Sequence, residues 1–432
     1  MTAKGTTTAP GRARLADLPA AFWWLWLAEL VTWTGRFVVP FLTLYLTRHA
    51  GLDAGAAGLV VACYGVGSGI SMLAGGVLAD RFGRRVTLVS SIFASAVILC
   101  AIPRTHGIAE VSLLLFVYGL GNGAGYPLVT TIVSDLVPAA QRTPAFLYIT
   151  WAVNLGYGIG PVLAGLLAGV SFALLFYAQA IALVIAGAIV VAGVPETHRA
   201  QTRARAVAEG SGLRPVLRDR VFLVLLGAMC LYDVVYQQST TTLPVALARQ
   251  GLSSRDYGLL LALNGLLLCA LQVPSVRVLT RLRRETVIVG FMLLVGLGLL
   301  VQSWAAALPA RTAVPAYLAS VAVWTLGELG LHPSAQLTAA ELAPAWLRGR
   351  YQGAYALVWA GATIVAPVAG GVVLDRLGPR ALWLAGAAAC ALVAGALAAT
   401  GGPRERRVQY VTSLNGRHDE VTASPVPSAP GS

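Results

Sequence analysis

The segment Leu120-Gly121-Asn122-Gly123-Ala124-Gly125-Tyr126-Pro127 returns 206 residues later as Leu326-Gly327-Glu328-Leu329-Gly330-Leu331-His332-Pro333. The offset holds downstream, where Leu136, Pro138, Arg142, Pro161-Val162 and Gly165 map onto Leu342, Pro344, Arg348, Pro367-Val368 and Gly371. A second register, offset by 200, pairs Gly51-Leu52 with Gly251-Leu252 and Gly58-Leu59 with Gly258-Leu259. In a chain with 47 glycines each match is cheap alone, but one offset kept from residue 120 to residue 165 is not. The chain is a duplicated unit, and its fold must be two copies of one half.

Those halves belong in lipid. Hydrophobic residues make up 57% of the chain and charged residues 11%, whereas a soluble domain carries roughly a quarter charged. A membrane-crossing helix needs about 20 apolar residues. Twelve such stretches occur: 20–46, 55–79, 85–103, 110–134, 144–167, 171–194, 221–247, 257–279, 286–304, 314–338, 351–374 and 381–400. The first reads as a span rather than a cleaved signal peptide, being too long, lacking a small-residue cleavage site and followed by more spans. Phe22, Trp23, Trp24 and Trp26 crowd its start like an interfacial belt. The expected organisation is an N-terminal segment (1–18), a six-helix half (19–194), a linker (195–219), a second six-helix half (220–400) and a disordered tail (401–432), which ends Pro425-Val426-Pro427-Ser428-Ala429-Pro430.

The net charge of +13 is a matter of topology. With both termini cytoplasmic, 23 of the 31 Lys and Arg lie in cytoplasmic segments. Seven lie outside (Arg48, Arg104, Arg249, Arg255, Arg311, Arg376 and Arg380), and Arg36 lies within a span. That is the positive-inside pattern, and it accounts for the basic excess without nucleic acid. Cys63, Cys100, Cys230, Cys269 and Cys390 all fall inside spans, where they read as small core residues rather than disulfides. Lys4 is the only lysine, so no phosphate-cradling Gly-Lys loop can form. No zinc-ligand pair, nucleophile elbow or redox cysteine pair appears either. Neither an enzyme nor a cofactor is expected.

Six spans, a basic linker and six spans is the layout of the major facilitator superfamily. Between spans two and three the chain reads Gly76-Val77-Leu78-Ala79-Asp80-Arg81-Phe82-Gly83-Arg84-Arg85, which closely resembles that family's loop signature. The resemblance implies a cytoplasmic gate, with Asp80 capping a helix end in the opposite half and Arg81 and Arg84 completing the charge cluster. Gly76 and Gly83 would permit the tight reversal. A near copy, Gly371-Val372-Val373-Leu374-Asp375-Arg376-Leu377-Gly378, falls on the outer side by span counting and is not expected to be a second gate. The positional partner of the first loop is Arg281-Leu282-Arg283-Arg284, with Thr280 in place of Asp80. Gly156-Tyr157-Gly158-Ile159-Gly160-Pro161 in span five is similar to the motif of drug/proton antiporters, in which Gly156, Gly160 and Pro161 would bend the helix against its neighbour. The arginine those antiporters carry in span four is absent; Val117 or Gly119 stands there.

Ionisable groups within spans cost about 2.5–3.5 kcal/mol on insertion scales, and four lie deep: Glu29 and Arg36 in span one, Asp233 in span seven, Glu328 in span ten. In the family resembled, spans one, four, seven and ten line the central cavity. Helical spacing puts Glu29, Trp33, Arg36 and Pro40 on one face. The matching faces are Tyr118, Asn122 and Tyr126 on span four, Trp324, Glu328 and His332 on span ten, and Asp233 with Gln237 on span seven. Glu29 is expected to pair with Arg36. Asp233 and Glu328, without a basic partner nearby in sequence, are expected to exchange protons, with His332 as a relay. These features imply a proton-coupled exporter of a lipophilic neutral or cationic small molecule, working by alternating access as a monomer in the cell membrane. A symporter importing a sugar, peptide or organic acid is the main alternative, and a receptor without flux a minor one. Glu29 with Arg36-Phe37 is distantly similar to the proton–peptide symporters, although Gly35 breaks their pattern.

Overall fold

The computed structural model describes residues 18–105, 107–197, 214–279, 281–344 and 347–423. Thr280, most of the linker and the residues flanking this range at either end of the chain lie outside it. Among the described residues the chain is helical, with eleven apolar helices long enough to cross a membrane. The last of them, Arg348–Ala399, holds two spans. Its 52 residues would extend far beyond a bilayer, and Gly378, at φ 80°, turns the chain between spans eleven and twelve. The expected twelve spans are therefore present. They form two six-helix halves packed side by side in a multi-pass membrane protein, the architecture that the resemblance implies.

Three of the four spans expected to line the centre are interrupted. Span one is Ala20–Thr34 and Val38–His49, parted at Gly35–Phe37. Span four is Ile108–Asn122 and Gly125–Leu136. Span seven runs as Arg220–Tyr236, Gln238–Thr241 and Leu243–Arg249. Span ten, Ala310–Glu341, stays continuous despite Pro315 and Pro333. Breaks inside a membrane leave backbone groups unpaired unless protein supplies partners. At span one Gln179 does so, its Oε1 accepting the Val38 N–H at 2.8 Å.

The duplication reappears as contact. A methyl group at Gly58 would strike the Pro367 carbonyl, and one at Gly258 would strike the Pro161 carbonyl. Gly371 likewise meets the backbone of Ala54 and Gly55, and Gly165 that of Ser254 and Arg255. Each contact is the repeat image of its partner under the same two offsets. Small residues let the backbones of spans two and eleven, and of five and eight, touch. Both seams lie toward the end of the bundle away from the chain termini, here the far end.

A polar latch closes one seam. Asp375 accepts the N–H of Gly55 at 2.7 Å and of Ala54 at 3.3 Å, and it pairs with Arg249. Arg249 also donates to the Leu374 carbonyl at 3.1 Å. The loop copy that sequence counting set aside thus joins the two halves at the start of span two. The helix N-terminus and the arginine both favour an anion there. At the other seam the repeat position of Asp375 is Gly169, so that seam carries no equivalent acid.

The terminal end is built differently. A hydrophobic cluster containing Phe22, Leu88, Leu128, Ile132, Ile149 and Val190 draws only on the N-terminal half. The stretch after Thr400, expected to be disordered, continues as helix Gly401–Ala423. It is held because Arg404, 1% exposed, pairs with Glu285, while Arg407 pairs with Asp219 at 3.2 Å. Asp219 also accepts from the Tyr351 hydroxyl at 2.9 Å.

Candidate functional site between the halves

Glu29 and Trp33 share the first helix of span one, and the Trp33 indole N–H donates to Glu29 at 3.1 Å. Arg36 sits in the break after that helix, so the single face expected for Glu29, Trp33, Arg36 and Pro40 is not continuous. The expected Glu29–Arg36 ion pair is not formed. The Arg36 guanidinium instead lies over the Trp33 ring, 4.6 Å from its centroid, and donates to the Tyr64 hydroxyl at 3.4 Å. Tyr64 in turn donates to Asn122 at 3.2 Å.

The break in span four divides its face as well. Tyr118 is fully buried, stacked on Tyr64 at 5.4 Å, and its hydroxyl accepts from Gln179 at 2.8 Å. Tyr126, beyond the break, is exposed. Of this trio Asn122 and Tyr118 join the Arg36 surroundings, and Tyr126 stands apart.

In the C-terminal half Glu328 is the centre of a network. The Tyr236 hydroxyl donates to its Oε1 at 2.9 Å and the Asn264 amide to its Oε2 at 2.9 Å. Asn264, 1% exposed, also donates to Thr325 at 3.0 Å. Rings surround the acid. Tyr236 lies 6.2 Å from Trp324, 5.8 Å from Trp359 and 5.6 Å from His332, and His332 lies 5.2 Å from Tyr232. His332 packs among these rings and makes no hydrogen bond to Glu328, so the expected relay is not seen in this conformation.

Asp233 is different in kind. It is 5% exposed, its Oδ1 has no hydrogen-bond partner, and no cation lies within 4 Å among the described residues. The neighbouring Tyr232 hydroxyl is also unpartnered. Gln237, at the break in span seven, donates to Thr363 of span eleven at 2.8 Å and so braces that break.

The expected bend of span five has a more specific use. Gly156 and Gly160 pack directly on the backbone of Trp33 and Thr34, and Pro161 presents its carbonyl to Gly258. The glycines therefore seat the broken helix that carries Glu29. Span five also supplies Tyr157, 6.4 Å from Trp33, and Asn154, which donates across the halves to Gln272 at 3.1 Å.

At the terminal end the expected cross-half gate is not assembled among the described residues. Asp80 is exposed and caps no helix, and Gly76 has open space around it. Arg84 pairs with Asp135, at the end of span four in its own half. Arg81 lies over the Phe82 ring at 5.3 Å. Gly83, at φ 101°, makes the reversal. Glu196 caps span three through the N–H groups of Arg84 at 2.9 Å and Val86 at 3.2 Å.

The sequence pattern of the Major Facilitator Superfamily matches residues 25–367 and 239–417. The chain belongs to the major facilitator superfamily. It is a transporter of that family and not an enzyme. An uncharacterized MFS-type transporter, YttB of Bacillus subtilis (strain 168), is 27% identical over 368 residues, 85% of this chain and 91% of the relative. A Na(+), Li(+), K(+)/H(+) antiporter of Planococcus maritimus is 26% identical, with 77% and 84% covered. The quinolone resistance protein NorA of Staphylococcus aureus is 29% identical over 140 residues, 32% of this chain and 36% of that protein. Among solved structures, the nucleoside transporter NupG superimposes with a TM-score of 0.75 at 13% identity, covering 88% of this chain and 99% of that one. That likeness confirms the superfamily fold.

Sequence reading missed Tyr64, Tyr157, Gln179, Tyr236, Asn264 and Trp359. The amides Gln179 and Asn264 carried a usable signal, since each stands in a largely apolar stretch of a span.

Proposed function

We propose that this transporter exports a lipophilic small molecule, neutral or cationic, in exchange for protons, by alternating access across the cell membrane with both termini in the cytoplasm. One observation carries the reading: Asp233 and Glu328 are two carboxyl groups in the C-terminal half, and among the described residues no arginine or lysine lies within 4 Å of either. A carboxyl group in such a place must carry a proton or face a cationic guest, because an unpaired charge in low dielectric is costly. Exchanging one for the other is antiport. The ring-lined surroundings of Glu328 suit a lipophilic guest, and a cation is attracted to ring faces as well as to the acid. The partial similarity to NorA and the likeness to a cation/proton antiporter support export.

The rocking motion follows from the two seams. The far end is closed by glycine contacts and the Asp375 latch, while the terminal end, cytoplasmic under this reading, lies open to load substrate. Closing that end would bring Asp80 to the opposite half as the family's gate implies. Proton-driven accumulation of labelled substrate in inverted vesicles tests the reading. Wild type accumulates it, while Asp233→Asn and Glu328→Gln do not. Full accumulation by both variants, or greater accumulation in intact cells that express the protein, would overturn it.

A further inference from the structure

Resting on the rocking motion of the proposed function, we infer that Tyr257 is the positioning residue that couples the broken outer pieces of spans one and seven, so that the far end shuts fully only with its hydroxyl in place. Tyr257 lies in the first turn of span eight, Ser254–Leu279, next to the seam glycine Gly258, and is 1% exposed. Its hydroxyl donates to the Ser239 carbonyl at 3.0 Å and reaches the Pro40 carbonyl at 3.1 Å. Its ring meets Phe41 edge to face, with 5.0 Å between centroids. Ser239 belongs to the short middle piece of span seven, in the same half as Tyr257. Pro40 and Phe41 belong to the outer piece of span one, in the other half. That piece packs against both Gln238–Thr241 and Leu243–Arg249 of span seven.

The two carbonyls are not equivalent. Pro40 lies inside helix Val38–His49, where the Leu44 N–H comes round to its carbonyl. Helix Gln238–Thr241 stops at Thr242, so the ladder does not run on from Ser239 to Leu243, and Pro244 has no N–H to offer the next carbonyl. The Ser239 carbonyl therefore depends on Tyr257, as the Val38 N–H at the break in span one depends on Gln179. A hydroxyl carries one proton. When the halves part, Pro40 leaves with its helix bond intact and Tyr257 keeps Ser239, so opening strands no backbone group. Closing adds the cross-half share of the bond and the ring contact with Phe41. The repeat position of Tyr257 is Ala57, which has no hydroxyl. The seam between spans two and eleven relies on Asp375 instead.

The test places spin labels on Ala50→Cys and Arg311→Cys, both exposed at the far end and in opposite halves, in full-length protein without its native cysteines, reconstituted in liposomes. Double electron–electron resonance then reads the ratio of far-end-open to far-end-closed protein. With Tyr257 present two distances should appear, and Tyr257→Phe should raise the open-to-closed ratio about fivefold, the scale of one hydrogen bond. Phe41→Leu, which leaves the hydroxyl and Ser239 untouched, should shift the ratio the same way and carries the test if Tyr257→Phe does not fold. A brace acting only within the C-terminal half would lower the unfolding temperature of Tyr257→Phe without moving the ratio, because the Ser239 bond is lost equally from both states. Two distances whose ratio neither substitution moves would overturn the inference and leave the rocking motion standing. One distance in every variant, at every pH tested, would overturn both.

Discussion

Asp375 accepts the backbone N–H of Gly55 from across the molecule at 2.7 Å, so a side chain just past span eleven adds to Asp53, the residue that caps span two. Burial works against ionisation of this carboxyl. The bonds from Arg249, Gly55 and Ala54 outweigh it and hold the group below its ordinary value of 3.8. A carboxyl depressed in the latched state favours that state above its ordinary value, and the advantage fades as pH falls through the depressed one. Closure of the far end should therefore be flat from roughly pH 5 to 8, and Asp375→Asn should weaken it by about 1 kcal/mol, the group being partly exposed. Maleimide labelling of Ala57→Cys, in a background without native cysteines, reports closure through its rate.

The glycine seams should be the least tolerant positions in the chain. Gly58→Ala and Gly258→Ala would each press a methyl group on a proline carbonyl of the other half, and backbone cannot yield as a side chain can. Each should reduce transport at least about tenfold, as an overpacked contact costing 1–3 kcal/mol would. Gly169→Ala, with open space around it, should transport normally. Initial rates in vesicles, corrected for protein amount, compare the three.

Gln179 should matter to stability more than its apolar surroundings suggest. It accepts from Val38 N–H and donates to the Tyr118 hydroxyl, so Gln179→Leu strands two buried groups. A loss of about 2–6 kcal/mol is expected at about 1–3 kcal/mol per stranded group, with altered Arg36 contacts as a consequence. Thermal unfolding in detergent measures the first effect.

Removing one donor to Glu328 separates holding the acid from possessing it. Tyr236→Phe keeps the ring and should weaken binding of a cationic substrate about fivefold, near 1 kcal/mol for one hydrogen bond. Glu328→Gln should abolish the preference for cations over neutral compounds. Equilibrium binding of a matched cationic and neutral pair gives both numbers.

The architecture was legible in the sequence because it rests on periodic, local signals. The 206-residue offset gave two halves, the apolar runs gave twelve spans, and the lone acids pointed to the centre. What the sequence hid depends on distant partners. Nothing near Arg36 announces that Gln179, from span six, will satisfy the broken backbone of span one. The smooth face assumed for span one fails for that reason, and that of span four because Ser71 of span two accepts the Ala124 N–H at its break. Asp375 looked like a stray copy of the gate motif, since its partner Gly55 lies 320 residues away. Arg404 and Arg407 looked like tail charges until Glu285 and Asp219 met them.

Proton movement during substrate exit is the most direct measurement. Proteoliposomes loaded with substrate and a pH-sensitive dye are diluted into substrate-free buffer of equal pH. Antiport through Asp233 and Glu328 predicts that the lumen acidifies as substrate leaves, and that the Asp233→Asn/Glu328→Gln double variant shows no acidification. Substrate efflux that leaves the internal pH unchanged, or makes the lumen more alkaline, would contradict the account.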